Sequence, residues 1–201
     1  MSAAREEILR RVRAAKGDVP AQRERAYRTS GTRDAAERAA LLHERLADYR
    51  ARVESDLAGV LAGLAHTRIG VPPGLPPEWR PASPVEDHGL TPHQLDELHG
   101  VVTGCTVAIA ETGTIVLAGG PTEGRRALTL VPDLHVCIVR SDQVVETVPE
   151  AFAALRGLEH RPLTFVSGPS ATSDIELQRV EGVHGPRRLV VVLLDSLAPG
   201  R

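Results

Sequence analysis

The sequence predicts an α/β domain with a mostly parallel sheet, one β-hairpin and a helical extension at the N-terminus. Short apolar segments of strand type recur after Gly100, and the later ones alternate with helical stretches. The last of them, residues 189–194, is continuously apolar, as expected for a strand buried on both faces. Two others, residues 107–110 and 115–118, are separated by four residues, which predicts an antiparallel pair.

The composition narrows the possible functions. With 201 residues the chain is long enough for one domain and an extension, and its five aromatic residues predict an aliphatic core. A formal net charge of −2 gives no reason to expect nucleic acid or an anionic membrane as a partner. Lys16 is the single lysine, which disfavours Schiff-base chemistry and a phosphate-binding P-loop.

The expected location is the cytoplasm. No apolar run approaches the ~20 residues that a membrane span requires. The N-terminus carries charged residues where a signal peptide would need an apolar stretch. We therefore expect a cytoplasmic protein with no membrane span.

The N-terminal third is predicted to be helical. Residues 2–16 show a short amphipathic pattern, and Thr32 is expected to cap a long amphipathic helix over residues 33–64. We assign residues 1–66 to a helical extension and residues 67–201 to the α/β domain. The apolar stripe of the long helix suits packing on the chain's own sheet, and a helix of this length also has the reach to meet a partner.

The middle of the chain begins the α/β domain. A brief strand at residues 68–71 precedes a proline-rich loop, in which we expect Trp79 to fill an apolar gap. Thr91 and Pro92 are typical of a helix start, as the cap and the first helical residue. The later elements are predicted as strands at residues 101–110, 113–118, 134–139, 163–166 and 188–194, and as helices at residues 148–155 and 174–180.

Neither metal nor disulfide chemistry is indicated. Cys105 and Cys137 lie in apolar strand-like runs without a C-x-x-C spacing, so we expect two buried, reduced thiols. The eight histidines show no ligand spacing, which disfavours a zinc site. A serine hydrolase is disfavoured because the chain has no G-x-S-x-G motif.

The predicted hairpin carries the first candidate site. Glu111, Thr112, Gly113 and Thr114 lie between two segments that should be buried. An ionised carboxylate in such a place must be paired, hydrogen-bonded or turned towards a cavity. Glu111 is therefore a candidate catalytic residue, and the three residues after it are candidate ligand contacts.

A glycine-rich loop follows the second hairpin strand. Gly119, Gly120 and Gly124 allow backbone N–H groups to approach an anion closely, and Arg125 offers a guanidinium fork for a phosphate or carboxylate. The pattern matches neither G-x-G-x-x-G nor a Walker loop. A glycine-rich turn with solvated arginines explains it equally well.

A third group of candidates follows the strand at residues 163–166. Hydroxyl and small residues crowd the loop there, and capping of the next helix accounts for one or two of them. Because ligands bind at the carboxyl ends of parallel strands, we expect this loop to face a ligand. Its candidate ligand contacts are Ser167, Gly168, Ser170, Thr172 and Asp174. His184, between glycines in a tight loop, is a further candidate acid or base, with loop hydrogen bonding as the alternative.

Four motifs together resemble the LUD-domain family, and within it the lactate utilization protein C branch. They are AETGTIVL at residues 110–117, GRRALTLVP at 124–132, SGPSATSDIE at 167–176 and GVHGP at 182–186. The resemblance covers roughly residues 100–194, in matching order, and the long helical N-terminal region also looks like this branch.

The resemblance implies a Rossmann-like three-layer α/β sandwich of the sugar-phosphate isomerase/CoA transferase-like type. It also implies a role in the oxidation of L-lactate to pyruvate, in a complex with iron–sulfur partner proteins. The chain lacks the cysteine clusters that would hold iron–sulfur centres, so we expect no cofactor in this subunit.

Two alternatives remain open. In CoA transferases of the related fold a glutamate is the acyl-accepting nucleophile, so Glu111 could serve a stand-alone acyl-CoA transferase-like enzyme, or act as a base on a phosphorylated metabolite. A purely structural role would make the chain a scaffold whose N-terminal helix binds the iron–sulfur partners. A small anionic ligand is compatible both with a subunit of a lactate-oxidising complex and with a stand-alone enzyme.

Overall fold

The strands form one large parallel sheet and one small sheet. The computed structural model describes residues 3–16, 27–169 and 185–195. The strands of the large sheet are β1 Arg52–Glu54, β2 Ile69–Val71, β3 Pro84–Glu86, β4 Gly100–Thr103, β7 Leu134–Arg140 and β10 Arg188–Leu194. Their order in the sheet is β1-β10-β7-β4-β2-β3, and all pairs are parallel.

The small sheet contains the predicted hairpin. Its order is β8-β5-β6-β9, with strands β5 Val107–Ile109, β6 Thr114–Leu117, β8 Val144–Val145 and β9 Thr164–Val166. The β5–β6 pair is antiparallel, and β9 is antiparallel to β6. The hairpin prediction is confirmed, and the single strand expected over residues 101–110 divides at Gly104 into β4 and β5, which belong to different sheets.

Five α-helices lie in the described ranges: α1 Ala3–Lys16, α2 Ala35–Asp48, α3 Leu57–Gly63, α4 Pro92–Asp96 and α5 Val148–Ala154. Thr91 caps α4 by accepting the N–H of Gln94, as predicted. The cap of α2 is Asp34, in a capping box with Glu37, where the sequence had suggested Thr32. None of these helices is long and apolar enough to cross a membrane. The helix expected at residues 174–180 falls outside the described residues.

The single long helix predicted over residues 33–64 is wrong. The chain leaves the helical conformation after Tyr49, and Arg50 takes a left-handed conformation with φ of 63°. Its N–H donates to the Ala47 carbonyl at 2.8 Å, which satisfies a helix-end carbonyl. The chain then forms β1 and re-enters a helix at α3, whose cap is Asp56.

Two segments before residue 67, α2 and β1, belong to the packed structure. Strand β1 pairs with β10 at the edge of the large sheet, and Leu42 and Leu46 of α2 are fully buried. The division at residues 66/67 stays a prediction, but α2 and β1 lie on the α/β domain and not apart from it.

The core is three-layered and almost entirely aliphatic. Alternate residues of β7 enter two different hydrophobic clusters: Cys137 and Val139 pack towards α2, while Val136 and Ile138 pack towards α3. Helices therefore cover both faces of the large sheet, which confirms the predicted α/β class. Trp79 is 8% exposed within the second cluster, in the gap-filling position expected for it.

Candidate functional site

The β5–β6 hairpin has two ends with different surroundings. The turn end comprises Glu111, Thr112, Gly113 and Thr114 with the neighbouring residues Ser167 and Gly168. The pocket end comprises residues 118–126, which follow β6. Because β9 runs antiparallel to β6, with Ile115 opposite Val166 and Leu117 opposite Thr164, the two ends lie at opposite limits of the same strand. The predicted site residues therefore fall into two groups.

At the turn end the structure brings two predicted loops together. The hydroxyl oxygens of Thr114 and Ser167 are 2.8 Å apart, and the Thr112 hydroxyl donates to that of Thr114 at 2.8 Å. This chain of hydroxyls joins the hairpin turn to the loop after β9. Hydrogen bonds within the protein therefore occupy these hydroxyls.

The two glycines of the turn end lie against α2. Gly113 has φ of +59°, and a Cβ there would be 2.8 Å from Cβ of Arg45 and 3.0 Å from its carbonyl carbon. Gly168 has φ of +81°, and a Cβ there would be 2.6 Å from Cβ of Tyr49. Both positions need glycine for backbone conformation and for close approach to the helix. Packing therefore accounts for residues that the sequence suggested as ligand contacts.

Glu111 is held in an ion pair with Arg28. Arg28 lies in the segment before α2, and its guanidinium also reaches the carboxylate of Glu146 at 3.4 Å. The backbone N–H of Glu111 donates to the carbonyl of Glu146 at 3.1 Å. Glu111 is about one-third exposed, so it lies at the edge of this network.

Glu146 is the centre of the network. Its side chain is 1% exposed, and its Oε2 accepts the backbone N–H groups of Thr32 and Arg33, each at 2.7 Å. The Arg33 guanidinium donates to Oε1 at 2.8 Å. The N–H of Arg33 is the largest cause that lowers the pKa of Glu146, and it outweighs burial, which acts in the opposite direction.

Glu150 also binds the N-terminal segment through hydrogen bonds. Its Oε1 accepts the N–H of Gly31 at 2.9 Å, and its Oε2 accepts the N–H groups of Glu146 and Thr147 at 3.0 and 2.8 Å. Residues 28–33 are therefore fixed over the turn end by three glutamates. No local pattern signals this contact, because the partners are more than eighty residues apart in sequence.

The pocket end borders a cavity of about 640 Å³. The cavity lies where β2, β3 and β6 end, and its walls come from the loops after these strands and from the residues before β9. The carboxyl ends of parallel strands are the usual place for ligands in α/β sheets. The polar and charged residues that line the cavity are Asp87, Glu123, Arg125, Arg126, Thr129, Arg161 and Thr164.

Arg125 forms a bidentate ion pair with Asp87. Its Nε and Nη2 donate to the two carboxylate oxygens at 2.7 and 2.9 Å, and Nη2 also donates to the Leu90 carbonyl. The Asp87 side chain is 2% exposed. Burial raises the pKa of Asp87, but the hydrogen bonds from Arg125, Leu90 and Gly89 outweigh it and lower the pKa overall. Arg125 therefore shapes the pocket wall, and its free capacity for an anion is small.

The glycine-rich loop already holds an anion, which is the chain's own Glu123. Oε2 of Glu123 accepts the backbone N–H groups of Ala118 and Gly120 at 2.7 and 2.9 Å, and Oε1 accepts the Thr106 hydroxyl at 2.5 Å. Glu123 is 3% exposed. The loop thus has the anion-binding geometry that its glycines suggested, with an internal carboxylate as the occupant.

Two further arginines give the cavity its cationic character. Arg126 Nη1 donates to the Thr129 carbonyl and hydroxyl at 3.0 and 3.2 Å, and partial burial lowers the pKa of Arg126. Arg161 is exposed at the rim. Arg126 belongs to the glycine- and arginine-rich loop that the sequence suggested for an anion, whereas sequence reasoning missed Asp87 and Arg161.

A second cavity of about 430 Å³ lies at the opposite edge of the large sheet. It is lined by residues at the amino ends of β7 and β10, including Leu134 and Arg188, by Val60 of α3, and by Leu64 at the C-cap of that helix. We favour the first cavity as the ligand site because it lies at the carboxyl ends of the strands. Across the described ranges no group of three or more histidine, cysteine or acidic side chains is arranged to hold a metal ion.

Four predicted site residues, Ser170, Thr172, Asp174 and His184, lie outside the described residues. Their roles stay predictions, as does the catalytic role suggested for Glu111.

The family model for the LUD domain matches residues 86–194. The chain is 46% identical over 171 residues to Lactate utilization protein C of Deinococcus radiodurans, a match that covers 78% of this chain and 81% of that protein. A shorter match of 38% identity over 94 residues, to Lactate utilization protein C of Bacillus pumilus, covers 44% of this chain and 39% of that protein.

A solved structure has the same fold. The crystal structure of a DUF162 family protein from Deinococcus radiodurans superimposes with a TM-score of 0.70 at 38% sequence identity. The superposition covers 81% of this chain and 99% of that one.

Proposed function

Because this chain belongs to the LUD domain family, we propose that it is a lactate utilization protein C-like subunit that takes part in the oxidation of L-lactate to pyruvate. The observation that carries the proposal is the 46% identity to a protein named Lactate utilization protein C, extending over most of both chains. The match covers 78% of this chain and 81% of that protein, so it concerns most of both chains.

The cavity at the pocket end is the proposed ligand site. L-lactate and pyruvate are small carboxylate anions, and Arg126 and Arg161 supply positive charge at a concave surface. Two parts of the nearby cavity wall are held by hydrogen bonds within the protein and are therefore rigid. Asp87 is bound by Arg125, and Glu123 is bound by the backbone of its own loop. A preformed cationic cavity of this kind suits reversible binding of a small anion.

The proposed partners are iron–sulfur proteins. Oxidation of L-lactate removes two electrons, and within the described ranges this chain offers no cysteine cluster to receive them. The electron-accepting centres would belong to the partners, and this subunit would contribute binding. We expect the complex to be cytoplasmic.

Growth on L-lactate tests the proposed function. Deleting the gene should impair growth on L-lactate and leave growth on glucose intact, and the wild-type gene supplied on a plasmid should restore it. Unimpaired growth on L-lactate, in a strain with no other lactate dehydrogenase, would contradict the proposal.

A second test addresses the partners. The protein purified from lactate-grown cells should carry stoichiometric iron and acid-labile sulfide in partner chains. A variant that lacks residues 1–26 retains Arg28 and its ion pair with Glu111. If this variant folds, which its circular dichroism spectrum would show, loss of the partners would assign their binding to residues 1–26. Retention of the partners would place binding on the α/β domain. A preparation free of iron would contradict the proposed complex.

The stand-alone enzyme with Glu111 as nucleophile or base receives no specific support. Glu111 is paired with Arg28 and lies away from the cavity at the pocket end. Turnover of an acyl-CoA or a phosphorylated metabolite by the purified chain, abolished by Glu111→Gln, would establish it.

A further inference from the structure

The second cavity, of about 430 Å³, has an aliphatic floor. Val136 of β7 is 1% exposed and Leu134 is 9% exposed, and both belong to a hydrophobic cluster of the core. Val60 and Leu64 pack against this cluster from α3 and its C-cap, and Val190 packs against it from β10. Small-molecule pockets typically have volumes of ~300–1,000 Å³. The floor therefore offers the apolar part of a small ligand a surface that is continuous with the core.

The rim of the second cavity is cationic. Arg50, Arg52, Arg187 and Arg188 are exposed and line it, and none of the described residues that line it is acidic. The cavity at the pocket end differs in this respect, because two carboxylates share its wall with three arginines. Positive charge without a carboxylate in the wall favours an anionic group at the rim.

The carboxylates that pair with these arginines lie outside the cavity lining. Glu54 accepts a hydrogen bond from Nε of Arg52 at 2.5 Å, and Asp133 lies 3.7 Å from Nη1 of Arg187. Arg52 and Arg187 are 70% and 65% exposed, and ion pairs at such exposed positions contribute little free energy. Among the described residues none forms an ion pair with Arg188. These guanidinium groups can therefore bind the anionic group of a ligand at small cost.

We propose that the second cavity binds an amphipathic acid, an aliphatic chain that ends in a carboxylate. The chain packs on the floor formed by Leu134 and Val136, and the carboxylate binds the arginines of the rim through charge-assisted hydrogen bonds. The described lining contains no aromatic side chain on which a nucleobase could stack, which favours an aliphatic ligand. L-lactate has a single methyl group and covers little of this floor, so the ligand is of a different class from the one proposed for the pocket end.

Gly63, the last residue of α3, allows the space in the cavity to be tested. It lines the cavity, and a Cβ there would meet nothing within 4 Å. Its φ is not positive, so other residues can adopt its backbone conformation. Glycine is also a poor helix former. A larger side chain at this position is therefore tolerated by the fold and takes up space beside the floor.

Titration of the ¹⁵N-labelled protein with octanoate, below the concentration at which it forms micelles, tests the proposal. We expect saturable shifts of the amide resonances of Gly59, Gly63 and Val190, which all line the cavity. Octylammonium has the same chain with the opposite charge and should bind at least about tenfold more weakly. L-lactate, which lacks the chain, should give no saturable shift of these three resonances. Absence of saturable shifts with octanoate, or equal binding of octylammonium, would overturn the proposal.

Substitution of an arginine tests the site of the carboxylate. Arg188→Gln should weaken octanoate binding roughly tenfold, because it removes a charged hydrogen-bond donor. Arg156→Gln removes the same charge from an exposed residue that lines neither cavity, and it should change the affinity by less than about twofold. Equal weakening by the two substitutions, or none by Arg188→Gln, would overturn the assignment of the rim.

Substitution on α3 tests the site of the chain. Gly63→Leu should abolish the octanoate shifts without lowering the melting temperature. Ala62→Leu adds a side chain of the same size at an exposed position of the same helix outside the cavity lining, and it should retain the shifts. Octanoate binding that persists in Gly63→Leu, or that is lost equally in Ala62→Leu, would overturn the assignment of the floor.

Discussion

The two ends of the β5–β6 hairpin differ in what covers them. At the turn end, residues 28–33 and helix α2 lie over the loops, and Glu111, Glu146 and Glu150 are all engaged by the N-terminal segment. At the pocket end, the loop of residues 118–126 is held by its own Glu123 and faces a cavity of about 640 Å³.

The comparison shows that charged groups alone do not identify a ligand site. Both ends carry carboxylates, arginines and glycines with positive φ, as at Gly113 and Gly119. At the turn end these features are used to attach one part of the chain to another. At the pocket end the same residue types surround an open volume, so that is where we expect a ligand.

The largest effect on stability is expected from Glu146→Gln. The substitution leaves the N–H groups of Thr32 and Arg33 with a neutral acceptor in a buried place and removes the charge that faces Arg33. We expect the melting temperature to fall by roughly 5–10 °C. Glu44→Gln, an exposed glutamate on α2, is the matched control and should change it by less than about 1 °C. Equal effects of the two substitutions would show that the N-terminal segment is not anchored by Glu146.

Gly113→Ala should give the next largest effect. The new Cβ meets Arg45 of α2 at 2.8 Å while the residue keeps a positive φ, so we expect destabilisation by about 2–3 kcal/mol. Gly157 also has a positive φ, but a Cβ there meets nothing within 4 Å, and Gly157→Ala should cost about 1 kcal/mol. Urea unfolding measures both. If the two variants lose the same free energy of unfolding, the close contact between the turn and α2 is not important.

Arg125→Gln is expected to have a smaller effect, at the pocket end. It removes the bidentate partner of the buried Asp87 carboxylate and should destabilise the protein by about 1–2 kcal/mol, reduced from the value for a fully buried pair because Arg125 is partly exposed. Arg161 lies at the rim of the same cavity. The substitution Arg161→Gln should leave the free energy of unfolding within about 0.5 kcal/mol of wild type. A large loss of stability in Arg161→Gln would mean that its side chain supports the fold.

The smallest difference between the turn end and the pocket end is expected in how the free energy of unfolding depends on pH in acid. Glu146 and Asp87 both have lowered pKa values in the folded state. The unfolded state therefore binds more protons below about pH 4.5, and this stabilisation is present above that pH and lost as the pH falls through the lowered folded values. The difference in stability between wild type and Glu146→Gln should shrink over this range. A difference that stays constant down to pH 2 would contradict the ionised, hydrogen-bonded Glu146.

Local patterns were sufficient for much of the fold. The hairpin follows from two apolar runs joined by four residues, and Thr91 and Pro92 mark a helix start that the structure has. The error over residues 33–64 has a physical cause. Val53 continues the spacing of threes and fours from α2, yet its three-residue strand gains hydrogen bonds from β10, which lies far along the chain.

The site could be predicted only in part, because its decisive contacts join distant segments. The glycine-rich loop was recognisable as an anion-binding backbone, but its occupant, Glu123, becomes evident only when the side chain is placed. No local sequence pattern indicates that Asp87 pairs with Arg125. The same is true of the hydrogen bonds between residues 28–33 and Glu146. Close packing against α2 and its C-cap accounts for the glycines at 113 and 168, and their role as ligand contacts stays a prediction.

Glycine amide resonances provide the most direct measurement of where a small anion binds. The ¹⁵N-labelled protein is titrated with L-lactate and with pyruvate, and the amide shifts of Gly119, Gly120 and Gly124 are compared with those of Gly113 and Gly168. We predict saturable shifts in the first group, weakened by Arg161→Gln, and unchanged positions in the second. Saturable shifts at Gly113 and Gly168, with none at the pocket end, would contradict the account.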